Sequence, residues 1–296
     1  MAYERLDQCP VCAKTEFKNF IVVQDKSVSQ ESFVIVQCEN CTLKFTNPRP
    51  DEASIGAYYA SEEYISHSNT SKGLMSKAYK LVRTFTVKDK VNLINSFAGK
   101  KGTILDYGCG TGHFLAGCKK EGWNIKGFEP NEVANKNASE VTGSFIERTS
   151  LTNFEQESFD VITLWHVLEH IHSVNETFQQ LLKLLKPGGI IITAVPNADS
   201  LDAQNYKENW AAYDVPRHLY HFNQATMKRF LKKHKVEFLE TKPMKYDAYY
   251  VSLLSEKYKE GKSNMFVSVM SGYKSNSYAE KNDLDYSSLI YIARKK

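Results

Sequence analysis

Residues 103–117, TILDYGCGTGHFLAG, place a short apolar run directly before three glycines, Gly108, Gly110 and Gly112, and a new pattern begins at His113. Glycine lets a backbone take left-handed conformations and pass close to a ligand. The segment therefore reads as a buried strand, a tight turn and a helix start. A second apolar run, Asn124 to Phe128, ends in Glu129, seventeen residues beyond Gly112. A carboxylate at the tip of a second strand can accept hydrogen bonds from both hydroxyls of a ribose. The glycine turn is one residue shorter than the dinucleotide fingerprint. Asp106, two residues before Gly108, would repel a diphosphate and attract an amino group. A nucleoside ligand that carries an amino group fits this pattern better than a dinucleotide does.

The rest of the chain continues the alternation of strand and helix. Ser158 to Trp165 reads as a fourth strand, followed by HVLEH. A helix follows, with Ser173 and Glu176 as a capping box and Val174, Phe178, Leu181, Leu182 and Leu185 as its apolar stripe. LKPGG closes that helix and IIITAV reads as a fifth strand; Val236 to Pro243 and SSLIYIARK supply a sixth and a seventh. In the polar stretch between those two, Met265 to Met270 reads as a buried piece. HVLEH also matches the H-x-x-E-H pattern of a metallopeptidase class, but a peptidase has no use for the glycine turn upstream.

LDYGCGTG, GFEP, FDVITLWHVLEH and LLKPGGIIITAVPN resemble the successive motifs of class I S-adenosylmethionine-dependent methyltransferases, over residues 100–296. The resemblance implies an α/β fold with a doubly wound, Rossmann-like, seven-stranded sheet whose last two strands form an antiparallel hairpin. It implies that Asp106, Gly108 and Gly110, with Gly112 completing the turn, hold the methionine end of S-adenosyl-L-methionine, and that Glu129 holds the ribose. It places His166 beside the methionine portion and the substrate. The adenine contact would come from the loop around Thr149 to Leu151, through Ser150 and Leu151, although this loop lacks the acidic residue often found there.

Four of the six cysteines are paired by spacing. Cys9 and Cys12 form CPVC, Cys38 and Cys41 form CENC, and two β-like runs, Phe17 to Val23 and Ser32 to Gln37, lie between them. A hairpin with a cysteine turn at each end resembles a zinc ribbon. Four thiolates leave a zinc ion no open position, so its role would be structural. The expected division is a zinc-ribbon-like module over residues 1–48, a linker and helical cap over 49–98 and the methyltransferase domain over 99–296. In the cap, Leu74, Ala78, Leu81, Val82, Phe85, Val91, Ile94 and Phe97 form a helical stripe; Tyr58, Tyr59, Tyr64 and His67 are candidates for a lid.

The connection after the fifth strand, PNADSLDAQNYKENWAAYDVPRHLYHF, is long and aromatic, and long loops at strand ends are usually functional or disordered. Trp210, Tyr213, Arg217 and Tyr220 are the expected substrate-binding residues. Methyl transfer to a hydroxyl or a protonated amine needs a base, and histidine titrates near neutrality. His166, His218 and His221 are the candidates.

A net charge of +4, spread along the chain, does not argue for a polyanion. The start shows no signal-peptide run, and no stretch of eighteen apolar residues predicts membrane insertion. The expectation is a cytoplasmic enzyme acting on a small-molecule acceptor: a sugar, a lipid or a quinone-like intermediate. A nucleic-acid methyltransferase clamping RNA with its ribbon and a non-catalytic cofactor-binding protein remain open. So does the atom methylated.

Overall fold

The computed structural model describes residues 2–59 and 74–296, with side chains in the second stretch from Val82 onward. Tyr64 and His67 lie outside the described residues, as do the side chains of Leu74, Ala78 and Leu81. The chain opens with a small β module: β1 (Tyr3–Glu4), β2 (Phe17–Gln24), β3 (Ser32–Cys38), β4 (Lys44–Thr46) and β5 (Arg49–Pro50). β2 and β3 form the expected antiparallel hairpin, β4 adds to β3, and β5 pairs with β1. A turn of 3-10 helix, Ile55–Tyr59, precedes the long α1 (Leu74–Ala98). The second half of the α1 stripe is buried through Val91 and Ile94, whereas Val82 and Phe85 are exposed.

The body then alternates: β6 (Thr103–Tyr107), α2 (His113–Lys120), β7 (Asn124–Phe128), α3 (Glu132–Thr142), β8 (Phe159–Trp165), α4 (Val174–Leu184) and β9 (Leu185–Pro196). After it come α5 (Leu201–Tyr206), β10 (Tyr220–His221), α6 (Gln224–Lys233), β11 (Glu237–Pro243), α7 (Asp247–Glu260), α8 (Met265–Ala279) and β12 (Ser288–Arg294). The main sheet runs β11-β12-β9-β8-β6-β7. β6 to β9 are parallel, and β12 is antiparallel to both β9 and β11. Strands buried on both faces need near-continuous apolar sequence, as ILDY and FDVITLW supply.

Among the described residues the main sheet has six strands where seven were expected. The place beside β7 holds a single parallel bridge, Phe128 to Glu147. Only Ile146 of that segment enters the core, Phe145 is 80% exposed, and the Glu147 carboxylate turns back onto the amides of Arg148 and Thr149. A run with one inward apolar side chain has no face to hold a strand. The expected last pair, β11 with β12, is antiparallel, with α7 and α8 inserted between its members. The piece Met265–Met270 corrects the sequence reading, because Met265, Phe266, Val269 and Met270 all face outward. α8 turns its small residues inward instead: Ser268, Gly272, Ser275 and Ala279 are buried, and a Cβ on Gly272 would lie 2.7 Å from the Tyr249 ring.

The β module is built into the body. Cys9, Val11, Leu43 and Phe45 share one core with Phe178, Leu219, Phe222 and Phe230. β10, from the long connection after β9, pairs with β4, setting Tyr220 opposite Phe45 and His221 opposite Lys44. The tip of the β2–β3 hairpin is anchored by charge. The Arg217 guanidinium, 3% exposed, donates to Asp25 Oδ1 at 3.0 Å, to both Asp214 oxygens, and to the Tyr58 carbonyl at 2.9 Å. Burial would raise the Asp25 carboxyl, but the Ser29 amide and Arg217 outweigh it and hold the group down to about 2.

Removing one partner of a buried ion pair strands the other charge, at a cost of about 3–5 kcal/mol. Arg217→Ala is therefore expected to lose stability of that order in urea unfolding. The Asp25→Ala/Arg217→Ala double variant should lose clearly less than the two single losses summed. Additive losses would show that the two charges are uncoupled.

Candidate active site

The glycine turn joins β6 to α2 with all three glycines at positive φ: 74°, 53° and 75° for Gly108, Gly110 and Gly112. A Cβ on Gly112 would meet the Ala138 backbone at 2.9 Å, so this glycine lets α2 pack on α3. A Cβ on Gly110 would meet nothing within 4 Å, so this glycine faces open space. The Glu129 carboxylate accepts from the Gly110 and Asn131 amides, both at 2.9 Å, which ties the tip of β7 to the turn. An ionised carboxylate has about four lone-pair sites, so both oxygens keep acceptor capacity for a ligand. Asp106 is 3% exposed and accepts from the Thr163 hydroxyl at 2.7 Å. Burial pushes its carboxyl up to about 7, against the opposing pull of Thr163 and Lys90. Leu151 is buried and Ser150 caps the short turn Leu151–Asn153, in the loop just past the Glu147 bridge to β7.

At the carboxyl ends of β8 and β9, where His166 and Pro196 stand, lies a cavity of about 350 Å³. His166 follows β8 with its backbone at φ 56°, left-handed for a non-glycine residue and a mark of strain at functional positions. Its Nε2 lies 2.9 Å from Asp247 Oδ2 and its Nδ1 3.4 Å from Glu169 Oε1. Burial opposes charge on this ring, but the two carboxylates outweigh it and push His166 up to about 10. It is an imidazolium at neutral pH and has no lone pair to take a proton. His170 is the opposite case: burial, and then His218, bring it down to about 4 and keep it neutral. His166, His170, His218, Asp214, Asp247 and Tyr250 all line the cavity.

The other expected residues of the long connection have packing positions. Trp210 is 1% exposed, donates its indole N–H to Asp202 Oδ2 at 2.9 Å and packs edge-on against Tyr213. Tyr213 is buried in the same cluster as Phe33, Ile35 and Tyr58. Tyr220 donates its hydroxyl to the His172 carbonyl at 2.7 Å. His221 sits against Thr46 of the β module, and burial holds it well below its usual value. Arg217 lines the cavity with a guanidinium already engaged by Asp214 and Asp25. Sequence reasoning missed Asp247, which holds the charge on His166, and Lys90, whose ammonium lies 4.4 Å from the Trp165 ring centroid. Neither carries a motif; each arrives from an element whose docking is decided in three dimensions.

In the β module, Cys9 and Cys41 have their sulfurs 3.4 Å apart, and Cys12 and Cys38 theirs 3.5 Å apart. All four sulfurs lie within 4.8 Å of one another. Thiolates at about 2.3 Å around a tetrahedral ion stand roughly 3.8 Å apart, so the cluster fits such an ion.

Residues 82–240, more than half of the chain, match the family model described as a methyltransferase domain. The chain belongs to that family. Among curated proteins, the ubiquinone biosynthesis O-methyltransferase of Actinobacillus pleuropneumoniae is 36% identical over 116 residues, 35% of this chain and 48% of the relative. The Pectobacterium atrosepticum protein of the same name is 33% identical over 110 residues, 34% of this chain and 45% of the relative. The chain thus spans about half the length of the curated relatives it matches. Among solved structures, magnesium protoporphyrin IX methyltransferase from Synechocystis PCC 6803, with bound SAH, superposes with TM-score 0.55 at 14% identity. That match covers 83% of this chain and 100% of the other, and it shows a shared fold. The class I resemblance of the sequence is met by family and fold alike.

The two inner glycines of the turn make a testable contrast. A left-handed non-glycine residue costs roughly 1–2 kcal/mol. Gly110→Ala should lose about that much in thermal or urea unfolding. Gly112→Ala should lose more, because its Cβ also meets the backbone of α3. Equal losses would mean that the α2–α3 contact yields freely.

Proposed function

We propose that this chain transfers the methyl group of S-adenosylmethionine to a hydroxyl oxygen of a small-molecule acceptor held in the cavity at His170 and His218. The observation that carries this reading is the shared rim. β6 and β8 are neighbours, their ends carry Asp106 and His166, and the cavity opens at the same edge, where Pro196 ends β9 and Ser288 begins β12. Ligands in open α/β sheets bind outside the carboxyl ends of the strands. The O-methyltransferase name of the curated relatives supports an oxygen acceptor, and a quinone-like phenol is the finer expectation.

The turn fits the cofactor. Gly110 leaves room for its backbone to approach a ligand, Glu129 offers acceptor sites to ribose hydroxyls, and the buried Asp106 carboxyl offers a partner to an ammonium group. When bound, S-adenosylmethionine supplies a methyl group already activated by a sulfonium. The protein then has to hold the acceptor oxygen in line and exclude water, and such positioning can supply about 7–11 kcal/mol of a barrier. A hydroxyl acceptor also has to shed its proton. With His166 held charged and His221 packed against the β module, His170 and His218 are the imidazoles placed to weaken that O–H bond. Cys9, Cys12, Cys38 and Cys41 are proposed to hold one structural zinc. Ser27 of the hairpin tip and Tyr58 line the cavity, so the ribbon is used as a wall, which supports a small acceptor over a nucleic-acid clamp.

Two outcomes test this. Because the free Asp106 carboxyl is pushed up to about 7, S-adenosylmethionine affinity should be flat above that pH. Below it the affinity should fall, approaching tenfold per unit as the carboxylate is protonated. Asp106→Asn should bind weakly at every pH, with a flattened profile; calorimetry showing tight, pH-independent binding by that variant would overturn the assignment. In turnover assays with a panel of phenolic acceptors, His218→Ala should lose ~10²-fold or more while cofactor affinity stays within a few-fold. Full activity in that variant would remove His218 from the site.

A further inference from the structure

Glu169 is fully buried, yet neither of its carboxylate oxygens has a hydrogen-bond partner. The nearest charge is His166 Nδ1, 3.4 Å from Oε1. A buried carboxylate without hydrogen bonds is costly enough that charged groups in such positions are normally paired or coordinate metals. Two imidazoles stand beside it. One ligand atom each from Glu169, His170 and His218 lies within 4.8 Å of the others. The His170 and His218 rings meet edge-to-face with centroids 4.5 Å apart.

The outer bonds of these imidazoles are already made. His218 Nδ1 is 2.8 Å from the Ala212 carbonyl oxygen, and His170 Nδ1 is 3.1 Å from that of Arg217. Since a carbonyl can only accept, each Nδ1 donates its N–H in these contacts, with the Tyr59 hydroxyl also 3.0 Å from His170 Nδ1. Each Nε2 is left for another partner, the Asp214 carboxylate standing 4.0 Å from that of His218. A backbone carbonyl holding one ring nitrogen so that the other can bind is the usual support of a metal-ligating histidine. The backbone brings the three residues together. Glu169 and His170 are consecutive in the short turn Leu168–His170 after β8, and the Leu219 amide, next to His218, donates to the Glu169 carbonyl at 2.8 Å.

We infer that Glu169, His170 and His218 form a binding site for a divalent transition cation of the zinc, iron or manganese class, with its remaining position open to the cavity. Two imidazoles and one carboxylate suit such ions, and three protein ligands with an open position make a catalytic type of site. At about 2.1 Å from a tetrahedral ion, ligand atoms stand roughly 3.4 Å apart. The cluster therefore has to contract by no more than about 1.4 Å between any two atoms. Resting on the methyl-transfer reading, the inference assigns the cation one role there. It takes the acceptor's hydroxyl oxygen and lowers its pKa, so that the proton leaves to solvent through the cavity mouth. The oxygen lone pair then forms the bond to the methyl carbon as the carbon–sulfur bond breaks and its electron pair returns to sulfur. His218 would act as a ligand and not as a base.

The test uses the full chain, loaded with zinc and dialysed, with metal content measured directly. Two equivalents are expected in the wild type and one in Glu169→Gln and in His218→Ala, with thermal melting and S-adenosylmethionine binding as checks on folding. Should both variants unfold, wild-type protein loaded with cobalt(II) decides. A tetrathiolate site gives intense sulfur-to-metal charge-transfer absorption, and the proposed site should add weaker d–d bands, without thiolate character, that a phenolic acceptor perturbs. One equivalent in the wild type, or cobalt bands of thiolate type alone, would overturn the inference. Turnover without a second equivalent would leave the methyl-transfer reading standing with His218 as base. Two equivalents without S-adenosylmethionine binding would overturn that reading and leave the metal site.

Discussion

The Arg217 guanidinium sits where three stretches of chain meet, and the arrangement of the cavity depends on it. Asp25 comes from the hairpin tip of the β module, Tyr58 from the turn that leaves the module, and Asp214 from the connection after β9. Each alone would be a polar group buried at a cost; together they satisfy one another. The connection is thereby fixed on both sides of His218, by Asp214 with Arg217 before it and by the pairing of β10 with β4 after it. A loop of this length that was free to move could not hold one imidazole against the turn after β8. The zinc-ribbon-like module thus works as a brace for the body's own connection.

The electrostatics of the cavity follow from this bracing. Three histidines lie within one wall, and their surroundings drive them apart. His166, between Asp247 and Glu169, is held charged, while His170, half-buried next to another histidine, is held neutral. The two carboxylates at the ends of β6 and β7 separate in the same way. Glu129 is tied into the backbone of the glycine turn, whereas Asp106 stands buried with a single hydroxyl partner and a raised pKa. A carboxyl with that much unmet demand is suited to a cationic ligand group, and it lies on the strand next to the histidine wall.

Much of the body was legible in the sequence because its signals are local. The first strand, its glycine turn and the acidic tip of the second strand lie where the text placed them, since strand burial, positive φ and a short turn each demand particular residues within a few positions. The cysteine pairs were legible for the same reason, as ligand spacing is a property of two short turns. The absence of a third strand between β7 and β8 was not legible, because whether Gly143–Arg148 pairs over one residue or several depends on how many of its side chains find a core. The outward face of α8 was misread because apolar residues were assumed to point inward, when close packing on Tyr249 selected the small face instead.

What the sequence determined by itself is the family, the glycine turn and the four-thiol cluster, each set by short-range stereochemistry. What only the tertiary structure decided is the role of each side chain in the long connection. Trp210, Tyr213, Tyr220 and His221 were candidates from the same connection as His218, but the packing of the fold buries them and leaves His218 at the cavity. Asp247 and Glu169 acquire their part only through contact with His166. Charge state and partnership depend on distances across the fold, and residue order does not record them.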